Sequence, residues 1–366
     1  MIVIADDITG AAEMAGIAFA RGENVRLVCG CSVCGCGTAA NGMVVIATDT
    51  RSMSEADAVA EIRRITSNIS LQPSALFKKT DSALRGHVVA ELSALMEATG
   101  CQRAVYLPAN PSKGRIIRDG IYYIKKMSGE RLEVRDVPIS ETAFNYDPEF
   151  PAKTSVLRER FPDAEARGII MPDAESEDDI QNVVVKYNDG NTLFAGAADL
   201  FSAIVGHSGN IRNTRDAQAS NSPSTLILCG STQSKPLDLG IPIAPMPREL
   251  YDGNDDLSLW DTNAYSKVHS LILTMPYTHR TGKEAAVHLR TMMARKAKEL
   301  VAQHCPNHLV IEGGATAWVT LQAIGWTDFS ITAQLAPGIV QMSATNGTLV
   351  TLKPGSYPWG NLSFIG

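Results

Sequence analysis

The feature that most constrains the fold of this chain is a repeated pattern in its sequence. A short apolar run is followed by a polar turn and then by a segment with helical periodicity. Residues 1–5 form the first apolar run, residues 6–10 interrupt it, and an alanine-rich helix is expected over 11–21. The order returns with an apolar run at 43–47 and a helix over 55–66. Strands that alternate with helices predict a mostly parallel sheet with right-handed crossovers. The sequence therefore predicts an α/β protein.

The same alternation continues along the chain. Further strands are expected at 25–28, 76–77, 104–107, 168–171, 192–195, 226–228, 270–274, 308–311 and 348–352, and further helices at 89–98, 173–187, 283–304 and from 312 to 323. Residues 125–151 are irregular and polar.

A chain of 366 residues favours two domains. The expected division is 1–206, a Ser-, Asn- and Gly-rich linker or surface loop at 207–224, and 225–366.

Composition excludes several classes of function. The net charge is −6 and the basic residues form no long run, which argues against a nucleic-acid surface. No apolar run approaches the roughly 18 residues of a membrane span, so no membrane partner is expected. The first residues lack the basic start and long apolar core of a signal peptide. A cytoplasmic enzyme is the prediction.

A cysteine cluster occupies positions 29–36, with Cys29, Cys31, Cys34 and Cys36 among the seven cysteines of the chain. Thiols at this density suggest a soft-metal site. However, structural zinc sites usually draw pairs from two separated segments, and no second pair lies nearby in the sequence. A glycine-rich loop of reduced cysteines is therefore favoured over a metal site.

Polar residues follow four of the predicted strands directly, at 6–7, 49–51, 79–85 and 108–115. The carboxyl ends of parallel strands share one edge of a sheet, so these sets should converge there. Among them, Asp7 and Asp81 are candidates for acid–base or metal chemistry, although an aspartate in such a turn is often only a helix N-cap. With the cations Arg51, Lys79 and Arg85, the edge suits an anionic substrate that bears hydroxyl groups.

Glycine turns follow strands in the C-terminal portion of the chain, at 230–232, 313–316 and 353–355. Free backbone N–H groups at a helix N-terminus favour phosphate, although each turn alone is also typical of an ordinary tight turn. The P-loop and dinucleotide-binding fingerprints are absent from the sequence. The residues alone indicate a sugar-acid-like anion on the first domain, a phosphate-bearing ligand on the second, and transfer between them.

Three motifs resemble the four-carbon acid sugar kinase family: ADDITGA at 5–11, DTRS at 49–52 and KTDSALRG at 79–86. PANP at 108–111, followed by Gly114, Arg115, Gly120 and Tyr122, resembles the next sequence block of this family. The C-terminal resemblance is looser, through GST at 230–232, GGAT at 313–316, APG at 336–338 and KPG at 353–355. The chain departs from the family at Ala315, where an acidic residue is usual, and at His87, where asparagine is usual.

The resemblance implies two mostly parallel α/β domains that face each other across a cleft, and ATP-dependent phosphorylation of the terminal (C4) hydroxyl of threonate, erythronate or 3-oxo-tetronate. By this resemblance the acid would contact Asp7, Arg51, Lys79, Asp81, Ser82 and Arg85. ATP, with Mg²⁺ bridging its phosphates, would lie on Ser231, Gly313, Gly314, Ala315, Thr316 and Gly355.

The hypothesis for the chemistry follows from these two sets. Arg51, Lys79 or Arg85 holds the substrate carboxylate, and Asp81, the preferred base, or Asp7 deprotonates the attacking hydroxyl. No dedicated metal ligands are predicted. The expected partners are the sugar acid and ATP, with a homodimer as the candidate assembly. The alternatives are a sugar-acid-binding or regulatory protein that has lost phosphoryl transfer, and a kinase for another small hydroxy acid.

Overall fold

The chain forms two compact units, which we call the first unit (1–14 with 30–209) and the second unit (15–29 with 210–366). The computed structural model describes residues 1–30, 42–67, 72–128, 133–147, 149–206, 224–231, 237, 239–275, 282–355 and 359. The linker predicted at 207–224 lies outside the described residues except for Ser224. The domain boundaries taken from the sequence therefore stay a proposal.

Strands and helices alternate along most of the chain. The strands are β1 (Ile2–Ala5), β2 (Val25–Cys29), β3 (Met43–Ala47), β4 (Leu76–Lys79), β5 (Arg103–Leu107), β6 (Arg115–Arg118), β7 (Ile121–Ser128), β8 (Glu133–Pro138), β9 (Ile169–Ile170), β10 (Thr192–Gly196), β11 (Thr225–Cys229), β12 (Ile243–Pro245), β13 (Ser270–Thr274), β14 (His308–Glu312), β15 (Asp328–Ala336), β16 (Ile339–Ala344) and β17 (Leu349–Lys353). The helices are α1 (Ile8–Ala20), α2 (Glu55–Thr66), α3 (Val88–Thr99), α4 (Leu157–Arg160), α5 (Glu177–Tyr187), α6 (Ala198–Val205), α7 (Arg248–Tyr251), α8 (Ala264–Val268), α9 (Lys283–His304) and α10 (Gly314–Ile324).

The first unit is built on a parallel sheet in the order β3-β1-β4-β10-β5-β9. Strands β1 and β3 are apolar and buried along their whole length, as parallel strands covered by helices are. The last residues of three strands are level, since Ala5 pairs with both Ala47 and Lys79. The turns that follow β1, β3 and β4 therefore leave the sheet side by side, as the sequence predicts.

A second, antiparallel sheet in the order β6-β7-β8 corrects the expectation of an irregular stretch at 125–151. Lys126 pairs with Arg135 across β7 and β8, and such polar pairs hide the apolar alternation by which a strand is recognised in a sequence. At the other end of this sheet, Ile117 and Tyr122 are fully buried. They anchor the sheet in the first unit.

Helix boundaries mostly follow the sequence, with two shifts at helix starts. The helix expected from 11 begins at Ile8 in α1. The helix expected from 173 begins at Glu177 in α5, because Ser176 and Asp179 form a capping box at its start. The side chain of Ser176 accepts a hydrogen bond from the backbone N–H of Asp179. The acidic residues before this point lie outside the helix.

The second unit has a mixed sheet in the order β12-β13-β11-β14-β17-β16-β15-β2. The neighbouring strands in the part β12-β13-β11-β14-β17 are parallel to each other. The neighbouring strands in the part β17-β16-β15-β2 are antiparallel. Residues 15–29 group with this unit, whereas the predicted division assigned them to the first domain. The reason is that β2 pairs with β15 and Arg26 makes a bidentate ion pair with Asp328.

The predicted α/β class with mostly parallel strands is confirmed. Whether the two domains face each other across a cleft stays a prediction. Within the part of the chain that the structure describes, no helix is both long enough and apolar enough to cross a membrane.

Candidate active site

The turn after β4 is folded around the carboxylate of Asp81. Its Oδ2 accepts hydrogen bonds from the backbone N–H of Ala83 at 3.0 Å and from Nε of Arg85 at 2.8 Å. Its Oδ1 accepts one from Nη2 of Arg85 at 3.0 Å. Leu84 and Gly86 have φ of 64° and 96°, a region that strains any residue but glycine. Because Leu84 is fully buried, packing and the Asp81 bonds together hold the strained turn.

Arg51 lies among three carboxylates that come from two other turns. It follows β3 in a 3-10 turn, Thr50–Ser52. Its guanidinium donates from Nη2 to Oδ1 of Asp6 at 2.7 Å and from Nε to Oδ2 at 3.1 Å, a bidentate pair. Nη2 also lies 3.2 Å from Oδ1 of Asp7, and Nη1 lies 3.8 Å from Oδ1 of Asp81. One cation thus joins the turns after β1, β3 and β4.

These contacts determine the charge state of the carboxylates. Burial by itself would raise the pKa of Asp81, but Arg51 and then Arg85 hold that pKa far below its usual range. At Asp7, burial is likewise outweighed by Arg51 and Lys79, and the pKa is lowered. Burial would lower the pKa of Arg51, whereas Asp6 and Asp7 raise it well above its ordinary value. The carboxyls of Asp7 and Asp81 are therefore ionised at neutral pH and are weak bases.

Lys79 lies on the buried side of this cluster. It is 4 % exposed, and its Nζ donates to the backbone oxygen of Thr80 at 2.8 Å. Glu13 on α1 lies 3.7 Å from the same nitrogen and also pairs with Lys113. A Cβ on Gly10 would lie 2.6 Å from Oδ1 of Asp7 and 3.4 Å from Nζ of Lys79. Only glycine at position 10 leaves room for both side chains.

The β6-β7-β8 sheet contributes two side chains that hold Ser82. Nη1 of Arg115 donates to Oγ of Ser82, and the hydroxyl of Tyr122 donates to the backbone oxygen of the same residue. Arg115 also lies over the ring of Phe144, 5.8 Å from its centroid. Beside them, Arg85 lies 3.6 Å from Asp147. The side of the turn that carries Ser82 is therefore fixed by a separate sheet.

All six residues predicted to bind the acid lie on this edge of the first unit, and the roles given to them stay predictions. Their side chains differ in exposure, from 32 % for Arg85 and 16 % for Arg51 to 5 % for Lys79. The predicted set leaves out Asp6, which is the main partner of Arg51. A signal was available, because Asp6 stands beside Asp7 in the same motif.

In the second unit, three predicted turns come together through their glycines. A Cβ on Gly355 would lie 2.6 Å from Oγ of Ser231, and one on Gly230 would overlap the side chain of Thr316. Gly313 has a φ of 96°, and a Cβ there would be in ordinary contact with the backbone of Gly230 and Ser231, at 3.7 Å and 3.8 Å. Together Gly230, Gly313 and Gly355 form a glycine surface, which packs closely against the side chains of Ser231 and Thr316.

Helix α10 begins directly after this glycine surface. Gly313 is its N-cap, and no side chain caps this end of the helix in the described part of the chain. Ala315, in the first turn, is exposed, whereas Thr316 is buried. Free N–H groups at a helix N-terminus bind anions, and phosphate is the common one. The arrangement can therefore accept a phosphate group.

A buried ion pair lies beneath these turns. Glu312 and Lys353 end the paired strands β14 and β17, are 0 % and 1 % exposed, and contact each other through Oε1 and Nζ. The backbone oxygen of Glu312 accepts from the N–H of Gly230 at 3.2 Å, and that of Lys353 from Gly313 at 2.9 Å. The pair holds the strand ends from which the glycine turns leave.

The cysteine cluster lies outside the described residues except for Cys29. Burial and Asp328 raise the pKa of the Cys29 thiol to about 12, so it stays protonated. Among the residues that the structure describes, no group of three or more His, Cys, Asp or Glu side chains is arranged to hold a metal ion.

The protein is thus of the α/β class, with a cluster of charged side chains at the strand ends of one unit and glycine turns at the strand ends of the other. Residues 1–163 match the family described as the sugar-binding N-terminal domain, and residues 264–357 match the nucleotide-binding C-terminal domain. The chain belongs to the four-carbon acid sugar kinase family.

Curated relatives agree with this family. A D-threonate kinase of Salmonella typhimurium is 31% identical over 161 residues, which is 43% of this chain and 35% of the relative. This match spans only about a third of that enzyme. A 3-oxo-tetronate kinase of Brucella melitensis is 24% identical over 414 residues, covering 97% of this chain and 92% of the relative.

Solved structures share the fold at low sequence identity. A Haemophilus influenzae protein of the DUF1537 family has a TM-score of 0.68 at 19% identity and covers 100% of this chain and 98% of its own. A protein of Salmonella typhimurium LT2 has a TM-score of 0.73 at 18% identity, covering 100% and 97%. These similarities concern the fold alone.

Proposed function

We propose that the protein is an ATP-dependent kinase for the terminal (C4) hydroxyl of a four-carbon sugar acid: threonate, erythronate or 3-oxo-tetronate. The observation that carries the proposal is Arg51, held among Asp6, Asp7 and Asp81 where three parallel strands end. Ionised carboxylates and cations in one site suit an acid that also has hydroxyl groups. The names of the relatives, D-threonate kinase and 3-oxo-tetronate kinase, support this substrate class.

Arg85 is the cation best suited to hold the substrate carboxylate. Its side chain is 32 % exposed, and because Nε and Nη2 bond Asp81, Nη1 is the nitrogen that would donate to the substrate carboxylate. Lys79 is almost completely buried, and Arg51 is engaged by Asp6. These two cations balance the charge of the carboxylates around them. The hydroxyl of Ser82, which accepts from Arg115, lies in the same turn and would contact the hydroxyl groups of the substrate.

Asp7 and Asp81 are the two candidates to accept the proton of the attacking hydroxyl. We favour Asp7, whereas the sequence alone favours Asp81. Both oxygens of Asp81 accept hydrogen bonds from Arg85. Asp7 receives bonds from Thr9 and from the backbone of Gly10, and its side chain is 18 % exposed against 11 % for Asp81. Both carboxyls are weak bases, which suits a transition state in which positioning and charge dominate.

ATP would be held by the glycine turns of the second unit. The residues concerned are Ser231, Gly313, Gly314, Ala315, Thr316 and Gly355. Two features fit this ligand: the close approach of Gly355 to Ser231, which leaves no room for a Cβ, and the start of α10, which no side chain in the described part of the chain caps. Mg²⁺ bound with the phosphates would supply neutralisation of charge at the transferred group, and proteins usually hold it through few side chains plus the phosphates. We also propose a cytoplasmic location and a homodimer.

The test is a coupled assay of ADP release over both stereoisomers of threonate and erythronate and over 3-oxo-tetronate. We expect turnover with at least one acid, and loss of it in Asp7→Asn. A transfer rate that Asp7→Asn leaves intact and Asp81→Asn abolishes would reverse the choice of base. Thermal shifts with the acids and with ATP–Mg²⁺ complete the test. A shift with an acid but none with ATP, together with no ADP release, would favour a sugar-acid-binding protein.

A further inference from the structure

A second buried ion pair, which the proposed chemistry does not use, lies beneath the charged site. Lys78 and Glu91 are each 1 % exposed, and Nζ lies 2.6 Å from Oε2. Lys78 stands on β4 directly before Lys79, and Glu91 lies in the first turn of α3. A buried pair of this kind is often replaceable by apolar residues without loss of stability. Stability alone therefore does not account for its place here.

The pair continues into two hydroxyl groups. Thr50 donates from Oγ1 to the same Oε2 of Glu91 at 2.9 Å. Its Oγ1 lies 2.9 Å from Oγ1 of Thr48, which also reaches the backbone oxygen of Ala5 at 2.9 Å. A hydroxyl has one proton, and a carboxylate accepts only. The proton of Thr50 therefore points to Glu91, and the proton of Thr48 points to the backbone oxygen of Ala5, which also accepts only.

Thr50 is the residue before Arg51, and the turn that carries both is strained. Asp49 has a φ of 55°, in the left-handed region that non-glycine residues adopt only when other contacts hold them there. The backbone N–H of Arg51 donates to the backbone oxygen of Asp6 at 3.2 Å. The Thr50 hydroxyl is thus a side-chain anchor of the turn from which the Arg51 guanidinium reaches its three carboxylates.

We propose that Glu91 is a positioning residue for Arg51 and acts through the hydroxyl of Thr50, while Lys78 holds the Glu91 carboxylate in place. The network connects α3 and β4 to the turn after β3, so the direction of Arg51 depends on all three elements. The kinetic part of this proposal rests on the proposed function. Its structural part, the orientation of Arg51, does not depend on it.

The sharpest variant is Thr50→Val, which removes the hydroxyl, keeps the shape of the side chain and leaves both charges of the pair. We expect kcat/KM for the acid to fall about tenfold to 100-fold, because a small misplacement far from the chemistry has effects of this size. KM for ATP should not change. The matched control is Lys296→Met, which removes a buried lysine paired with Glu299 on α9 at 3.1 Å and should lower Tm without changing KM for the acid.

The double variant Lys78→Met/Glu91→Leu separates positioning from stability. We expect its Tm to exceed that of Lys78→Met, because the single variant leaves a buried carboxylate without its lysine. KM of the double variant for the acid should remain higher than that of the wild type. Rescue of wild-type kinetics by the double variant would mean that the network only stabilises the fold and would overturn the proposal.

Crystal structures of the wild type and Thr50→Val test the orientation directly, even if no acid is phosphorylated. We expect the bidentate contact of Arg51 with Asp6 to be lost in the variant. An unmoved Arg51 would overturn the positioning role. An absence of transfer by the wild type, with Arg51 displaced in the variant, would instead refute the proposed function and leave the positioning role supported.

Discussion

The two units place their candidate sites at strand ends but build them from different groups. In the first unit, charged side chains converge, with Arg51 between Asp6, Asp7 and Asp81. In the second, glycines bring backbone close together around Gly355 and α10. Side chains discriminate among acids by the position of each hydroxyl, whereas backbone N–H groups recognise a phosphate that any nucleotide has. Under the proposed function, the first unit distinguishes one hydroxy acid from another, whereas the second unit recognises only the phosphate of the nucleotide.

Both units also have a buried Lys–Glu pair beneath the site, and the two pairs differ in what they join. Glu312 and Lys353 join two neighbouring strands of one sheet. Lys78 and Glu91 join a strand to a helix and extend to Thr50. A pair between adjacent strands holds backbone in place, as a backbone site requires. A pair that extends through a hydroxyl orients a side chain.

The largest expected effect concerns the charged site. Arg51→Ala should lower kcat/KM for the acid by about 1,000-fold, because removal of one preorganised donor has effects up to this size. Steady-state kinetics with a responsive acid is the measurement. Arg51→Lys is the control, which keeps the charge but not the bidentate contact with Asp6. Wild-type kinetics in Arg51→Lys would show that charge alone is sufficient and that the geometry of the site is less important than we infer.

Breaking the ion pair of the second unit should affect stability next most strongly. Lys353→Met should lower the free energy of unfolding by about 3–5 kcal/mol, since Glu312 keeps a buried charge without its lysine. Denaturant unfolding provides the measurement. The double variant Lys353→Met/Glu312→Met should regain most of the loss. A double variant as unstable as the single one would contradict a simple charge explanation.

A matched pair of glycine variants sharpens the comparison. Gly355→Ala and Gly10→Ala each add a methyl group whose carbon would lie 2.6 Å from a side-chain oxygen, of Ser231 and Asp7 respectively. We expect Gly355→Ala to raise KM for ATP and Gly10→Ala to raise KM for the acid, each about tenfold, which corresponds to about 1.4 kcal/mol of binding free energy. If either variant raised both constants equally, the assignment of one ligand to each unit would be wrong.

The smallest expected effect is the dependence of the first unit's stability on pH, which appears only in acid. The pKa of Asp81 is lower in the folded protein than its ordinary value of 3.8. Its ionised form therefore contributes stability above that value, and the contribution disappears as the pH falls through the folded-state pKa. The difference in unfolding free energy between the wild type and Asp81→Asn should shrink below pH 3.8. A difference that stays constant at low pH would exclude this charge effect.

Much of the fold was predictable because buried strands and amphipathic helices leave clear patterns. The bounds of β3, α2, β13 and α9 match the expected ranges. The strands β7 and β8 were missed because their exposed residues, such as Lys126 and Arg135, pair with each other and interrupt the apolar alternation. Asp6 was left out of the candidate site although it lies in the same motif as Asp7, since adjacency does not tell which carboxylate faces the arginine.

The sequence by itself determined the alternation of strands and helices, and with it the edge of the sheet on which Asp7, Arg51 and Asp81 meet. It also identified the glycine turns, because their spacing after apolar runs is a local property. Only the tertiary structure decided which charge pairs with which. Glu91 reaches Lys78 and Thr50 through the packing of α3 on the sheet, and such contacts depend on distances that no local pattern encodes.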